Sequence, residues 1–243
     1  MKVYSSQLIV VTSLAVLFIS GLAFSFPPGA SLIIKKTADF AITGDGSREN
    51  WKKTEWTSLP LHDSTKGVTY STKVKVLYSA TGLYFLYHNE DERLNATLQG
   101  DFLDLWNEDV VEVFIQPNDK TNLYLEYELS PLDYELPIMI YNRGEKLNSW
   151  MPFHYEGDRK TRHATSIKGG DKKSLASVTG WSAEFFIPYT LLEPFMQALP
   201  KAGTKWKGNI YRIDYEEGQT LWSWQKTSGS FHEYKKFGTF LFE

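Results

Sequence analysis

Short alternating or continuous apolar runs recur along most of this chain, separated by turns rich in glycine and proline. That spacing predicts strands, because strand side chains point to opposite faces with a period of two. Such runs cover 38–43, closed by Gly44-Asp45-Gly46, then 74–79 and 83–88. The last two flank Ala80-Thr81-Gly82 and predict a hairpin. The run 110–116 ends at Pro117-Asn118-Asp119, and 123–129 ends before Pro131. In the latter, Leu123, Leu125, Tyr127 and Leu129 share one face, and Tyr124, Glu126 and Glu128 share the other. Further strands are expected near 135–141, over 181–187, over 205–215 and over 238–242. Residues 189–198 have room for a short helix interrupted by Pro194. The polar stretch 142–180, with Gly157-Asp158 and Gly169-Gly170-Asp171, predicts weak edge strands and loops. There is no internal repeat and no linker. The expectation is one all-β domain over 31–243, an antiparallel, jelly-roll-like β-sandwich.

One strand breaks the apolar rule. In 110–116, Val111, Val113 and Ile115 form one face, while Val110, Glu112 and Phe114 form the other. A carboxylate between two apolar neighbours costs several kcal/mol when desolvated and unpaired, on the order of 2–7 kcal/mol for a polar group. Glu112 therefore needs donors, either from an Arg or Lys in the core or from a polar ligand in a cleft. Trp106 stands just ahead of the strand. It is either a core residue or a flat apolar plane beside the carboxylate, the pairing that a pyranose requires, with ring stacking on its C–H face and acceptance from its hydroxyls. Near the C-terminus, Phe231 lies in a loop of Ser, Gly and Thr, where it is either a contact residue or a lid on the sandwich. Phe237 is expected in the core.

Composition narrows the picture. The 243 residues carry a net charge of -3 and include 8 Trp and 14 Tyr. The charge offers no footprint for nucleic acid. The aromatic excess suits both a β-rich core and sugar binding. At the N-terminus, Lys2 precedes an apolar run over 8–24. Ala23-Phe24-Ser25 then resembles a cleavage site and Pro27-Pro28 a helix breaker. This predicts a signal peptide over 1–25, with an uncleaved anchor as the alternative, a mature chain starting near Phe26, and export to the periplasm, cell surface or medium without a membrane span in the mature form. With no cysteine, disulfides, Cys-ligated metal and a Cys nucleophile are excluded. Asn95-Ala96-Thr97 matches the glycosylation sequon.

No nucleotide-binding, serine-hydrolase or zinc-protease motif is present, and no two His have metal-ligand spacing. A glycosidase pair, Glu112 with Glu126 or Glu112 with Glu184, remains open by counting. So does a haem site using Met139, Met151 or His88.

The order of the pieces carries a resemblance. It comprises Ile42 to Gly46 with Trp51 downstream, Val74 to Val76, Leu83 to Leu86, and Trp106 to Ile115. Tyr124 to Pro131, Trp181 to Pro188 and Asn209 to Asp214 follow, then Trp222-Ser223-Trp224, Phe231-His232 and Phe237-Gly238. In this order the chain resembles family 9 carbohydrate-binding modules, in the branch of stand-alone exported Bacteroidetes proteins. The resemblance implies a β-sandwich in which two aromatic rings hold a terminal sugar. It implies Trp106 as one wall, Phe231 as the other in place of a Trp, and Glu112 as a hydroxyl acceptor. The basic residue of that family falls near Glu126, where no Arg or Lys is at hand, and Arg212 is a candidate replacement. It further implies a non-catalytic monomer that binds a mono-, oligo- or polysaccharide and serves polysaccharide catabolism. No cofactor is required, and structural calcium is allowed, with Asp45, Asn89 and Asp91 as possible oxygen ligands.

Overall fold

The computed structural model describes residues 29–64, 69–144, 146–216 and 218–243. The expected signal peptide lies outside the described residues. The fold is the expected β-sandwich, built from two sheets. One sheet contains, in order, β14 (Gly238–Phe242), β12 (Lys205–Asp214), β6 (Val110–Gln116), β7 (Leu123–Leu129), β8 (Glu135–Arg143) and β9 (Lys146–Pro152). β13 (Thr220–Ser223) adds to the far end of β12 and carries β3 (Leu61–Ser64). The other sheet runs β10 (Arg162–Lys168), β11 (Gly180–Pro188), β5 (Gly82–Asn89) and β4 (Thr72–Tyr78), with β2 (Thr57–Ser58) on β4. β1 (Ser31–Lys36) belongs to both. Ser31 to Ile34 run parallel to β14, and Lys35 and Lys36 run parallel to β4.

The alternation read from the sequence explains the layering. Val111, Val113 and Ile115 of β6, with Leu125, Tyr127 and Leu129 of β7, meet Val74, Val76, Phe85, Tyr87 and Phe185 of the opposite sheet in the main core. The reverse face of the first sheet is also covered. Val110, Phe114, Tyr124, Ile138, Ile140, Tyr211, Ile213 and Phe237 form a second apolar cluster beneath surface loops. With both faces covered, β6 is buried along its whole length, and so is the carboxylate of Glu112.

The hairpin of β4 and β5, the strands β6 and β7, and a short helix α1 (Tyr189–Leu192) lie where the pattern places them. Residues 38–43, expected as a strand, form none. Their amides bond to side chains instead of a ladder. Phe40 N–H donates to Tyr84 Oη (3.3 Å), and Thr43 and Gly44 N–H donate to Glu184 Oε2 (2.9 and 2.7 Å). Gly44 sits at φ +86°, a conformation that suits glycine. This segment covers the outer face of the second sheet around Trp51, Tyr84 and Phe186. Among the described residues no helix is long and apolar enough to cross a membrane.

Candidate functional site

Outside the first sheet, a cleft of about 490 Å³ opens over β6, β7, β8 and β12. Glu112 and Glu126 stand on its floor. Ile138, Ile140, Ile213 and Leu221 line it with apolar surface, and Trp106, Trp150, Phe231 and His232 stand around it.

Trp106 is placed by a single 3-10 turn, Leu105–Asn107, immediately before β6. Its carbonyl accepts from Tyr215 Oη (2.8 Å). Three residues further on, Asp109 accepts from the backbone N–H of Tyr215 (2.8 Å) and of Asn95 (2.6 Å). The turn is thereby tied to the end of β12, and the indole is held half-buried. Its neighbour is Trp150, edge-on at 5.2 Å and 80°. Trp150 comes from the edge strand β9 and is 45% exposed.

Phe231 is held by its loop. Glu233 accepts from the N–H groups of Ser228 (2.9 Å) and Gly229 (2.8 Å), and Tyr211 Oη donates to the Phe231 carbonyl (2.9 Å). The phenyl ring lies flat on Tyr211, with centroids 3.9 Å apart and planes at 14°. One ring face is thus taken by the protein, and the residue both lids the second cluster and lines the cleft.

Three carboxylates meet below the aromatic rim. β6 and β7 pair with Glu112 opposite Glu128 and Phe114 opposite Glu126. Carboxyl oxygens of Glu112, Glu126 and Glu128 therefore fall within 4.8 Å of one another, at exposures of 2%, 5% and 0%. Like charges directly opposed on a sheet face repel. Burial, then the Glu126 carboxyl, pushes Glu112 well above the usual range, and no positive charge opposes the shift. Burial takes Glu126 up to about 8. Glu128 rises well above its ordinary value for the same reason, reinforced by both neighbours. The basic group beside them is His232, with Nδ1 3.8 Å from Glu126 Oε2. Burial lowers it to about 4, so it is neutral at pH 7. Its Nδ1 shares a hydrogen bond with Tyr124 Oη (2.9 Å).

The structure thus brings Trp106, Glu112, Glu126 and Phe231 to one cleft. Arg212 is elsewhere. It lies opposite Val111 in the β12–β6 register and points, like Val111, between the sheets. There its guanidinium donates to Asp91 Oδ2 (3.0 Å) and Asp214 Oδ2 (2.6 Å) and covers the Trp222 ring at 4.6 Å. It does not supply the cleft's cation. Glu184 belongs to the other sheet, where Trp51 Nε1 and the 43–44 amides saturate it. Asp45 caps its own turn through Thr43 Oγ1 (2.7 Å) and Ser47 N–H (2.9 Å), whereas Asp91 is held by Arg212. Met139 and Met151 are cross-strand neighbours on β8 and β9, and His88 packs on Trp56 from β5 in the other sheet, so no axial pair for haem is assembled. Sequence reading did not single out Trp150 or Glu128. Both left a trace: a lone Trp in a polar stretch, and a second Glu in phase with Glu126.

Comparison with known proteins agrees with this architecture. Residues 42–242 match the carbohydrate family 9 binding domain-like family. The chain belongs to that family. A family 9 module from Caldicellulosiruptor kristjanssonii, solved with cellotriose and with glucose, superposes with a TM-score of 0.62 at 15% identity, over 88% of this chain. The match takes in 94% of the cellotriose-bound chain and 96% of the glucose-bound one. A Bacteroides uniformis protein provisionally assigned to carbohydrate binding gives 0.73 at 18% identity, over 89% of this chain and 100% of that one. At these identities the likeness is one of fold. In sequence, an extracellular protein of Arthroderma benhamiae is 26% identical over 193 residues, 75% of this chain and 80% of that one. In this family 9 domain, Trp106, Glu112 and Glu126 line an open cleft over the outer face of the first sheet.

Proposed function

We propose that this chain is a non-catalytic, exported, monomeric carbohydrate-binding protein serving polysaccharide recognition or catabolism, and that its sugar sits in the Trp106 cleft. The observation that carries this reading is that Trp106 and two buried carboxyl groups, Glu112 and Glu126, line the same cleft. An aromatic plane takes the apolar face of a pyranose, and carboxyl oxygens accept from its hydroxyls. The family membership supports the ligand class. The sugars seen with the Caldicellulosiruptor module, glucose and cellotriose, are the natural first probes. Export is supported by the apolar N-terminal run and by the extracellular description of the Arthroderma relative.

Binding rather than hydrolysis follows from the roles open to the carboxyl groups. Glu112 has no accessible acid–base partner set across a gap. Carboxyl oxygens of its neighbours lie within 4.8 Å of its own on the same floor, so the three acids form one cluster rather than a pair standing on either side of a glycosidic bond. Calorimetric titration with cellotriose and glucose, alongside a reducing-sugar assay, tests the reading. Heat of binding without sugar release is expected. Sugar release by the wild-type chain, lost in Glu112→Gln with affinity intact, would overturn it.

A further inference from the structure

Among the described residues two clusters of three carboxylates are buried, and they are balanced differently. Around Asp91, Asp109 and Asp214 every carboxyl oxygen has a donor. Asp91 takes Arg212, Trp181 Nε1 and Arg93 N–H. Asp109 takes Asn95 and Tyr215 N–H, and Asp214 takes Arg212 and Glu216 N–H. The guanidinium supplies the positive charge.

The Glu112–Glu126–Glu128 cluster has no such balance. Glu126 Oε2 and both carboxyl oxygens of Glu128 are buried without a well-formed hydrogen bond to any group outside the cluster, and the Glu126 and Glu128 carboxyls face one another. The Trp106 backbone N–H turns towards Glu128 without reaching hydrogen-bond geometry. Native proteins seldom leave such groups unpaired, and each unpaired group points to a missing partner. The position of Glu128 narrows the choice. Glu112 and Glu126 line the cleft, but Glu128 does not. A sugar hydroxyl or amine lying in the cleft reaches the first two, while a small ion seated between the strands also meets the third and balances the three acids.

We propose that Glu112, Glu126 and Glu128 together bind one divalent cation of the calcium class at the floor of the cleft, its open side facing the sugar. The donors are all carboxylate oxygens, the set preferred by hard cations. They provide three oxygens if each binds through one, and six if each binds through two. Calcium takes about 6–8, so water or sugar hydroxyls complete the shell from the cleft side. This inference rests on the sugar-binding reading only for what completes the shell; the ion itself needs the three carboxylates alone.

The purified chain, stripped with EDTA, is titrated with calcium chloride, with magnesium chloride as the comparison, following heat and the thermal unfolding midpoint. Cellotriose is then titrated with and without calcium. Calcium should raise the midpoint. Glu128→Gln should weaken calcium by at least the roughly 10-fold that loss of even an outer partner of a metal costs. Cellotriose should bind more weakly in EDTA. Glu126→Gln serves where Glu128→Gln does not fold. Calcium that fails to bind, or binds equally to both Gln variants, overturns the ion site and shows the floor to be held by protons. Cellotriose binding indifferent to EDTA overturns the open side while leaving the sugar reading intact. Calcium bound through Glu128 in a chain that binds no sugar refutes the sugar reading instead, and keeps the ion.

Discussion

At the residue scale, the site was legible where a side chain contradicted its own element. Glu112 stands out because an apolar strand has no use for a charge, and the structure leaves that charge on a buried floor. Trp106 was visible for its position one turn before the strand. Arg212 was misleading. Its own alternation with Tyr211 is plain, but the face it shares with Glu112 or Val111 depends on the β12–β6 register, and register is set by partners far away in the chain. Trp106→Ala should remove about 1–3 kcal/mol of sugar binding, the range for a buried aromatic contact, with an unchanged far-ultraviolet spectrum; an unfolded variant would make Trp106 a core residue. The carboxyl floor also sets a pH dependence. Burial raises Glu126 from 4.5 to about 8 in the folded state. Its favourable contribution is complete below about pH 4.5 and is lost as pH rises through 8, because the unfolded chain ionises first. In EDTA, Glu126→Gln should therefore gain stability over wild type at pH 8, by about 1–3 kcal/mol, and little at pH 4.5. Urea unfolding at both values checks this, and an equal difference at both would contradict it.

Among the elements, strands with clean alternation and proline stops were readable to the residue: 110–116 and 123–129 coincide with β6 and β7. Which strands pair across long stretches of sequence was not. β1 has a short apolar run and pairs parallel with two strands of different sheets, a placement that no local pattern encodes. The 38–43 run looks like a strand but spends its amides on Glu184 and Tyr84. The β8–β9 hairpin matters most for ligand length. It sets the exposed Trp150 beside Trp106 and so extends the aromatic surface past the position of a single ring. Trp150→Ala should leave the fold unchanged and weaken cellotriose more than glucose, by a difference of about 0.5–1.5 kcal/mol. Equal losses for the two sugars would place Trp150 in the terminal-sugar position.

For the whole molecule, one sheet does two jobs. Its inner face closes the sandwich, and its outer face carries the second apolar cluster and the cleft. The class of fold followed from strand spacing alone, but the doubling of covered faces did not, since Glu112 interrupts the second face of β6 between Val110 and Phe114. The Arg212–Asp91–Asp214 network between the sheets is a structural counterpart to the carboxyl floor. Replacing Arg212 with Met leaves buried acids without their cation, a loss of about 3–5 kcal/mol for a broken buried pair. The urea midpoint should fall accordingly, while sugar affinity of the folded fraction stays the same. The central claim is that the Trp106 cleft binds carbohydrate without turning it over. Its most direct test is calorimetric titration of the wild-type chain and Trp106→Ala with cellotriose. Saturable binding in the micromolar to millimolar range, about -8 to -4 kcal/mol, is expected for the wild type and should collapse in the folded variant. Binding of equal strength in Trp106→Ala, or none to the wild type across a panel of glycans, would contradict it.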